Sequence, residues 1–218
     1  MSKHVFNRFF PTPDLLSAPS FGVDISDESI KFIELIVTRN GIQAGRHGEK
    51  DIPPGVMESG KIIDVKKMQD ILDLLRREEG INTVRVSLPE QQVYLYEFQL
   101  AKEGLKSIRE SIELSLEEHI PVPAEDAIFD YELIKEGEKS LDIQVAAIPK
   151  TVIENYLTVF KNAEISVRSF ELEAQAIFRS VVKWGDMGSY MIVDFGEKRT
   201  GIFIVSGGVV MFTSTLDI

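Results

Sequence analysis

Apolar and polar residues alternate in short runs along most of this chain, and turn signals separate the runs. Alternating or short apolar runs predict strands, and apolar residues that recur every three or four positions predict helices. The first block has the order β-β-β-α-β. Its helix begins after the N-cap Asp64 and ends at Gly80. Its strands are predicted at 21–25, 30–38, 42–52 and 83–88.

The second block has the order β-α-β-β-α-β, which is typical of a ferredoxin-like (split βαβ) unit. Its strands are predicted at 92–100, 127–135, 140–148 and 165–171. Its first helix is predicted from the helical spacing of apolar residues between Leu105 and Leu116, and its second helix is predicted at 151–163. A helix at 173–183 leads to a third block, in which strands at 190–195, 200–206 and 209–214 surround tight turns.

The first and third blocks open in the same way. Each has an apolar strand that ends in a single aspartate, Asp24 or Asp194, followed by a polar turn and a second strand. A charged aspartate at the end of a buried strand lowers the stability of the fold unless its carboxylate is hydrogen-bonded or paired with a cation. Each could cap its own turn, but the repeat favours a site to which both aspartates contribute.

The amino-acid composition excludes several classes of function for this protein. The 218 residues include 24 Lys+Arg and 35 Asp+Glu, a net charge of −11, which argues against general nucleic-acid binding and against docking on anionic lipid. The absence of cysteine excludes disulfides, zinc thiolate sites and a cysteine nucleophile. The three histidines are far apart, and the chain shows neither a signal peptide nor a spanning segment. We therefore expect a cytoplasmic protein with no direct membrane insertion.

Five segments carry a resemblance to a known family. FGVDISDESIKFIEL at 21–35 and YMIVDFGEKRTGIFIVSGGVVMF at 190–212 resemble the two phosphate-loop motifs of the actin-like ATPase superfamily. Between them, VSLPE at 86–90, EEHIPVPAEDAIFDY at 117–131 and FELEAQAIFRSV at 170–181 resemble the type IV pilus assembly PilM family, which is related to the cell-division protein FtsA.

The resemblance implies an α/β (α+β) protein with an actin-like, ribonuclease-H-like fold. A lead-in segment at 1–20, with apolar residues at helical spacing, is either a frayed terminus or a partner-docking peptide. The rest divides into subdomain 1A (21–90), an inserted subdomain 1C (91–171), a linking helix that returns to 1A (172–188) and the start of subdomain 2A (189–218). The family continues beyond the position of Ile218, so we expect subdomain 2A to be incomplete and half of the nucleotide cleft to be missing.

In the family, ATP with Mg²⁺ lies between the two halves, cradled by backbone N–H groups and by carboxylates that hold hydrated Mg²⁺. Carried over to this sequence, the magnesium-side carboxylates are Asp24 and Asp194. The first turn and the strand after it supply Ser26, Asp27 and Lys31, and the second turn supplies Gly196, Glu197 and Thr200.

Three residues depart from the family pattern. Ser26 replaces a glycine that allows close approach of the backbone. Asp27 and Glu197 place carboxylates near the phosphates, where each would oppose binding by about 1 kcal/mol or more, unless it points to solvent or helps to hold a cation. We also see no positioned nucleophile or general base. The sequence therefore argues against nucleotide binding by this chain, and it predicts no enzymatic activity, or at most a weak ATPase in an untruncated form.

The resemblance implies a scaffold of the pilus inner-membrane platform, peripheral to the membrane through a partner. Family relatives bind the cytoplasmic N-terminal peptide of a PilN-like membrane protein in a groove between 1A and 1C; other platform proteins or a second copy are further partners. The candidate groove residues are at 94–98 and 120–123, although the aromatic residues there could instead pack the core. Two alternatives stay open: an actin-like ATPase or small-molecule kinase, and an FtsA-like or type II secretion homologue.

Overall fold

The structure, a computed structural model, describes residues 20–39, 41–105 and 107–217. The predicted lead-in therefore lies outside the described residues except for Ser20. The helices are α1 (Val65–Glu79), α2 (Ile108–His119), α3 (Lys150–Asn162) and α4 (Glu173–Val181). The strands are β1 (Phe21–Ile25), β2 (Ser29–Thr38), β3 (Gly41–Asp51), β4 (Met57–Glu58), β5 (Lys61–Ile62), β6 (Thr83–Leu88), β7 (Tyr94–Ala101), β8 (Ala127–Glu136), β9 (Ser140–Pro149), β10 (Ser166–Leu172), β11 (Ser189–Phe195), β12 (Arg199–Ser206) and β13 (Val209–Asp217).

The first sheet has five strands in the order β10-β6-β1-β2-β3. β1 alternates between the core and the other face of the sheet, so that Phe21, Val23 and Ile25 are buried. β1 pairs antiparallel with β2 and parallel with β6, and β6 pairs parallel with β10. Strands β1 and β6 therefore lie inside the sheet, and β1 ends at Ile25 beside the first predicted phosphate turn.

Helix α1 covers this sheet with one apolar face. The Asp64 side chain accepts a hydrogen bond from the Lys67 backbone N–H at 3.0 Å, and Gly80 ends the helix with φ 68° and ψ 29°. This is the left-handed conformation that glycine adopts without strain. Both predicted ends of α1 are therefore confirmed. Its face buries Met68, Leu72 and Leu75.

Helix α3 also belongs to the first core, and this differs from the sequence prediction. Tyr156 and Phe160 of α3 are fully buried in the same cluster as the α1 residues. Strand β10, predicted to complete a ferredoxin-like unit, instead pairs with β6, with Leu172 opposite Leu88. The predicted β-α-β-β-α-β unit is therefore wrong in its last two elements. Helix α3 packs against the apolar side chains of the first sheet, and strand β10 extends that sheet at β6.

The inserted unit consists of β7, α2, β8 and β9. Its sheet has the order β7-β9-β8, so β9 is central and β7 and β8 are edges. The core of this unit is separate from the first and is built from apolar side chains of α2 and β9, including Ile112, Leu116, Ile143 and Val145.

The third sheet has the order β11-β12-β13 and packs on helix α4. Phe203, Val205 and Val210 are buried against Ala174 of that helix. This packing places the turn between β11 and β12 near the end of β1. Within residues 20–39, 41–105 and 107–217, no helix is long and apolar enough to cross a membrane.

Candidate functional site

Carboxylates meet where the first and third sheets approach the start of α4. The Asp24 carboxylate, half-buried at the end of β1, accepts a hydrogen bond from the Ser87 hydroxyl on β6. Burial raises the pKa of Glu173, the first residue of α4, to about 7, and the negative charges of Asp24, Glu90 and Asp194 add to the rise. The structure thus brings the two aspartates of the repeat to one cleft, together with a glutamate that the sequence did not single out.

Two other buried groups fix the walls of this cleft. The Glu90 carboxylate accepts a hydrogen bond from the Ala174 N–H at 2.8 Å, near the start of α4, and burial raises the pKa of Glu90. The Tyr156 hydroxyl donates to the Gly60 carbonyl at 3.2 Å, and burial, followed by the charges of Asp27 and Asp24, raises the pKa of Tyr156. Both contacts connect elements that are far apart in sequence, so they hold the cleft in a fixed shape.

The first turn satisfies its own backbone donors. The Ser26 N–H donates to the Ser29 carbonyl at 2.9 Å. The Ser26 hydroxyl oxygen accepts the N–H groups of Glu28 at 3.3 Å and of Ser29 at 3.1 Å. These N–H groups are the kind that cradles phosphate in such turns. In this chain a side-chain oxygen of the turn already accepts them.

The Asp27 carboxylate does not point into solvent. Its two oxygens accept the N–H groups of Ser59 at 2.8 Å and Gly60 at 2.9 Å, in the turn between β4 and β5. Gly60 has φ +75°, and a Cβ there would lie 2.5 Å from the Cγ atom of Pro89, so a glycine is required. The carboxylate is therefore fixed by two charge-assisted hydrogen bonds.

The second turn is closed by a hydrogen bond from the Gly196 N–H to the Arg199 carbonyl at 2.7 Å. A Cβ on Gly196 would lie 2.8 Å from that same carbonyl oxygen, so this predicted glycine is required by close backbone approach. Asp194 and Glu197 are exposed, and Thr200 is buried. Glu197 does not take part in the closure of the turn.

Opposite charges face one another across the two turns. Lys198 forms an ion pair with Glu28, and the Arg199 Nη1 atom lies 4.0 Å from the Asp27 Oδ2 atom. Lys31, which the resemblance placed beside the first turn, is exposed and lies 3.9 Å from Glu49 on β3.

These residues do not fit the phosphates of ATP, the group that the resemblance implies. Three N–H donors of the first turn, those of Ser26, Glu28 and Ser29, are paired within the turn. Both cations of the second turn face carboxylates. Among the described residues, no group of three or more His, Cys, Asp or Glu side chains is arranged to hold a metal ion. Sequence reasoning missed Glu28, Lys198 and Arg199. The available signal was the adjacent acidic pair in one turn and the adjacent basic pair in the other.

A second candidate site is a groove of about 650 Å³ between the first sheet and the inserted sheet. The edge strand β8 of the inserted sheet and the edge strand β10 of the first sheet both contribute to it. Its apolar wall includes Leu88, Val93, Leu95, Ile128, Ala146, Ile148, Ile153, Phe170 and Leu172.

Polar groups lie within this groove and around it. Gln144 lines it and is 3% exposed, and its Nε2 atom is buried without a hydrogen-bond partner. Buried donors are nearly always paired, so this atom marks a place for an acceptor. The charged residues that line the groove are Arg109, Asp130, Glu132 and Glu171.

The groove overlaps only part of the segment predicted from the sequence. Leu95, within 94–98, lines it, but the aromatic residues Tyr94, Tyr96 and Phe98 pack against the core of the inserted unit. Ile120 is buried in that same core, and residues 120–123 do not line the groove. The alternation of side chains along β7 explains this, because Leu95 faces away from its aromatic neighbours.

Solved structures share this fold. The structure matches a chain of the "PilM-PilN type IV pilus biogenesis complex" with a TM-score of 0.78 and 18% identity, over 92% of this chain and 62% of that chain. It matches the cytoplasmic domain of EpsL, an inner-membrane component of the type II secretion system of Vibrio cholerae, with a TM-score of 0.58 and 12% identity, over 92% and 71% of the two chains.

A third match is the ethanolamine utilization protein EutJ of Carboxydothermus hydrogenoformans, with a TM-score of 0.52 and 14% identity, over 92% of this chain and 52% of that chain. These likenesses confirm the actin-like fold predicted from the sequence. The chain spans 62% of the length of the pilus protein that it matches. The profile of the family described as type IV pilus assembly protein PilM matches residues 22–217, nearly the whole chain, and the chain therefore belongs to this family.

Proposed function

We propose that this chain is a cytoplasmic scaffold of type IV pilus assembly, and that its groove holds an extended peptide from the N-terminus of a PilN-like membrane protein. The observation that carries this proposal is the groove itself, which lies between two sheet edges. Family membership and the likeness to a chain of a PilM-PilN complex support the choice of partner. The partner, rather than this chain, would provide the link to the inner membrane.

The groove suits an extended peptide because β8 and β10 are both edge strands. An edge strand presents unpaired N–H and C=O groups, and a peptide that adds to it gains main-chain hydrogen bonds. The apolar wall supplies the contacts for alternate side chains. The Gln144 amide provides a buried donor for a peptide carbonyl.

The charged residues of the groove favour a peptide with basic residues beside its apolar segment. Asp130 and Glu132 are exposed carboxylates on β8. The cation Arg109 lies over the Phe129 ring at 4.4 Å and also pairs with Glu113 at 3.3 Å. The positive charge at the groove is therefore already engaged, whereas two carboxylates face solvent.

Replacement of Ile128 by aspartate should weaken peptide binding by at least about tenfold. Ile128 lines the groove and is 41% exposed, so the change places a charge against the peptide with little effect on the core. Full burial of an isoleucine side chain is worth about 1.5–3 kcal/mol, and the peptide would cover only the exposed part of Ile128. The lost contact and the cost of covering the new carboxylate together should reach about 1.4 kcal/mol, which is tenfold in Kd. Calorimetric titration of the 218-residue chain with a short peptide that has an apolar segment flanked by a basic residue measures this.

The matched control is Leu133→Asp. Leu133 is on the same strand, is 46% exposed and does not line the groove, so this variant should bind the peptide as the wild type does. An equal loss of affinity in both variants would show that the groove is not the binding site. Absence of binding by the wild type at millimolar peptide would refute the proposed function.

We further propose that the chain acts by binding and not by catalysis. The carboxyl of Glu173, whose pKa is about 7, has three carboxylates and one arginine as charged neighbours. The cations of the second turn, Lys198 and Arg199, face Glu28 and Asp27. Assays of ATP hydrolysis by the purified chain should therefore show no activity above the uncatalysed background.

A further inference from the structure

The two turns that correspond to a phosphate site are joined by side chains of the chain itself. Adjacent carboxylates, Asp27 and Glu28, stand in the first turn, and adjacent cations, Lys198 and Arg199, stand in the second. Lys198 pairs with Glu28. The Arg199 Nη1 atom, which is buried and makes no hydrogen bond, lies 4.0 Å from the Asp27 carboxylate, so this second pair is a charge contact only. Each cation therefore faces one carboxylate across the cleft.

Neither the first turn nor Asp27 is free to adapt to a ligand. The Ser26 hydroxyl accepts two N–H groups of its own turn. The Asp27 carboxylate would have to give up two backbone hydrogen bonds, from Ser59 and Gly60, in order to move away. An incoming phosphate would meet this fixed negative charge, and its own charges would be repelled at short range.

We propose that these side chains take the place of a nucleotide's phosphates, so that the first and third sheets are connected across the cleft by the chain's own charges. The Ser26 hydroxyl accepts the N–H groups that a phosphate oxygen would accept. The carboxylates of Asp27 and Glu28 neutralise the cations that a phosphate would neutralise. The cleft is thus a self-neutralised anion site, and it is independent of whether the groove binds a peptide.

If the side chains of Ser26, Asp27 and Glu28 take the place of phosphates, their removal should allow the chain to bind phosphate groups. A variant with Ser26→Gly, Asp27→Ser and Glu28→Gln frees two backbone N–H donors and leaves both cations without a carboxylate. We expect it to bind tripolyphosphate, and ADP with Mg²⁺, at least about tenfold more tightly than the wild type, because two repulsive charges are gone and two cations are available. Calorimetric titration with inorganic tripolyphosphate is the first probe, since it contains no adenosine.

The control variant carries Glu118→Gln and Glu138→Gln. Both residues are exposed in the inserted unit, so the net charge changes equally but the cleft does not. This control should resemble the wild type; a comparable gain in affinity would show an effect of net charge alone and would overturn the proposal.

A milder variant, Asp27→Asn, keeps an oxygen acceptor for one of the two backbone N–H groups and covers the case in which the triple variant does not fold. It should bind tripolyphosphate more tightly than the wild type, by about threefold to tenfold. Binding by the wild type as tight as that of the variants would overturn the proposal. So would a folded variant, with a native circular dichroism spectrum, that gains no affinity.

Discussion

Replacement of Phe160 by alanine is expected to lower the free energy of unfolding by about 3–5 kcal/mol, because it removes a large side chain from a closely packed core. Phe160 is 1% exposed and lies on helix α3, within the cluster that also contains Met68 and Leu72 of helix α1. Urea denaturation followed by circular dichroism measures the change. The loss should appear in the unit built on the first sheet, to which α3 belongs.

Leu157→Ala is the matched control on the same helix. Leu157 is 44% exposed, so its truncation should cost less than about 1 kcal/mol. Hydrogen exchange should locate the effect of Phe160→Ala: amides of β1 and β6 should lose protection, whereas those of β7 and β9 should keep it. Loss of protection confined to β7 and β9 would mean that α3 packs with the inserted sheet, as the sequence pattern had suggested.

The extents of most strands and helices were predictable because they depend on local pattern, although α2 begins at Ile108 and not at Leu105, and the two-residue strands β4 and β5 were not predicted. Asp64 and Gly80 delimit α1 through a side-chain cap and a left-handed residue, and both effects act within a few positions. The grouping of elements was not predictable in this way. Strand β10 pairs with β6, which lies about 80 residues earlier in the chain, and no local pattern indicates which sheet a strand will join.

In the candidate sites too, some features were predictable from the sequence and others depend on how distant elements come together. The internal repeat identified Asp24 and Asp194, and the negative charges of both raise the pKa of Glu173. The raised pKa of Glu173 depends on its burial and on charges from distant parts of the chain, so a single run of sequence carries no sign of it. The groove likewise exists only because the edges of two sheets meet, and Ile128 has no special character in the sequence.

The second large effect expected is a pH-dependent stabilisation by Glu173→Gln. Burial raises the pKa of Glu173 from 4.5 to about 7, with Asp24, Glu90 and Asp194 acting in the same direction and Arg199 opposing them. The native state then keeps a proton that the unfolded chain has released. Stability is therefore full below the unfolded pKa and falls as the pH rises towards the folded pKa.

One pKa unit corresponds to about 1.4 kcal/mol, so ionisation of this carboxyl costs the native state on the order of 3 kcal/mol by pH 8. Glutamine has nearly the same shape and no charge. The variant should therefore exceed the wild type in stability at pH 8 by up to about 3 kcal/mol and should differ from it little at pH 4.5.

Urea unfolding of the wild type and of Glu173→Gln at pH 4.5, 6 and 8 measures this difference, with Glu118→Gln, an exposed site on α2, as the control for charge alone. Glu90, whose pKa is also raised by burial, leaves some pH dependence in the variant. The test therefore compares how steeply the free energy of unfolding changes with pH in the wild type and in Glu173→Gln. Parallel stability curves for the wild type and Glu173→Gln would show that Glu173 is not buried among these carboxylates. A slope reduced only in Glu173→Gln would show that the carboxylates of the first and third sheets, together with the start of α4, form one cleft in solution.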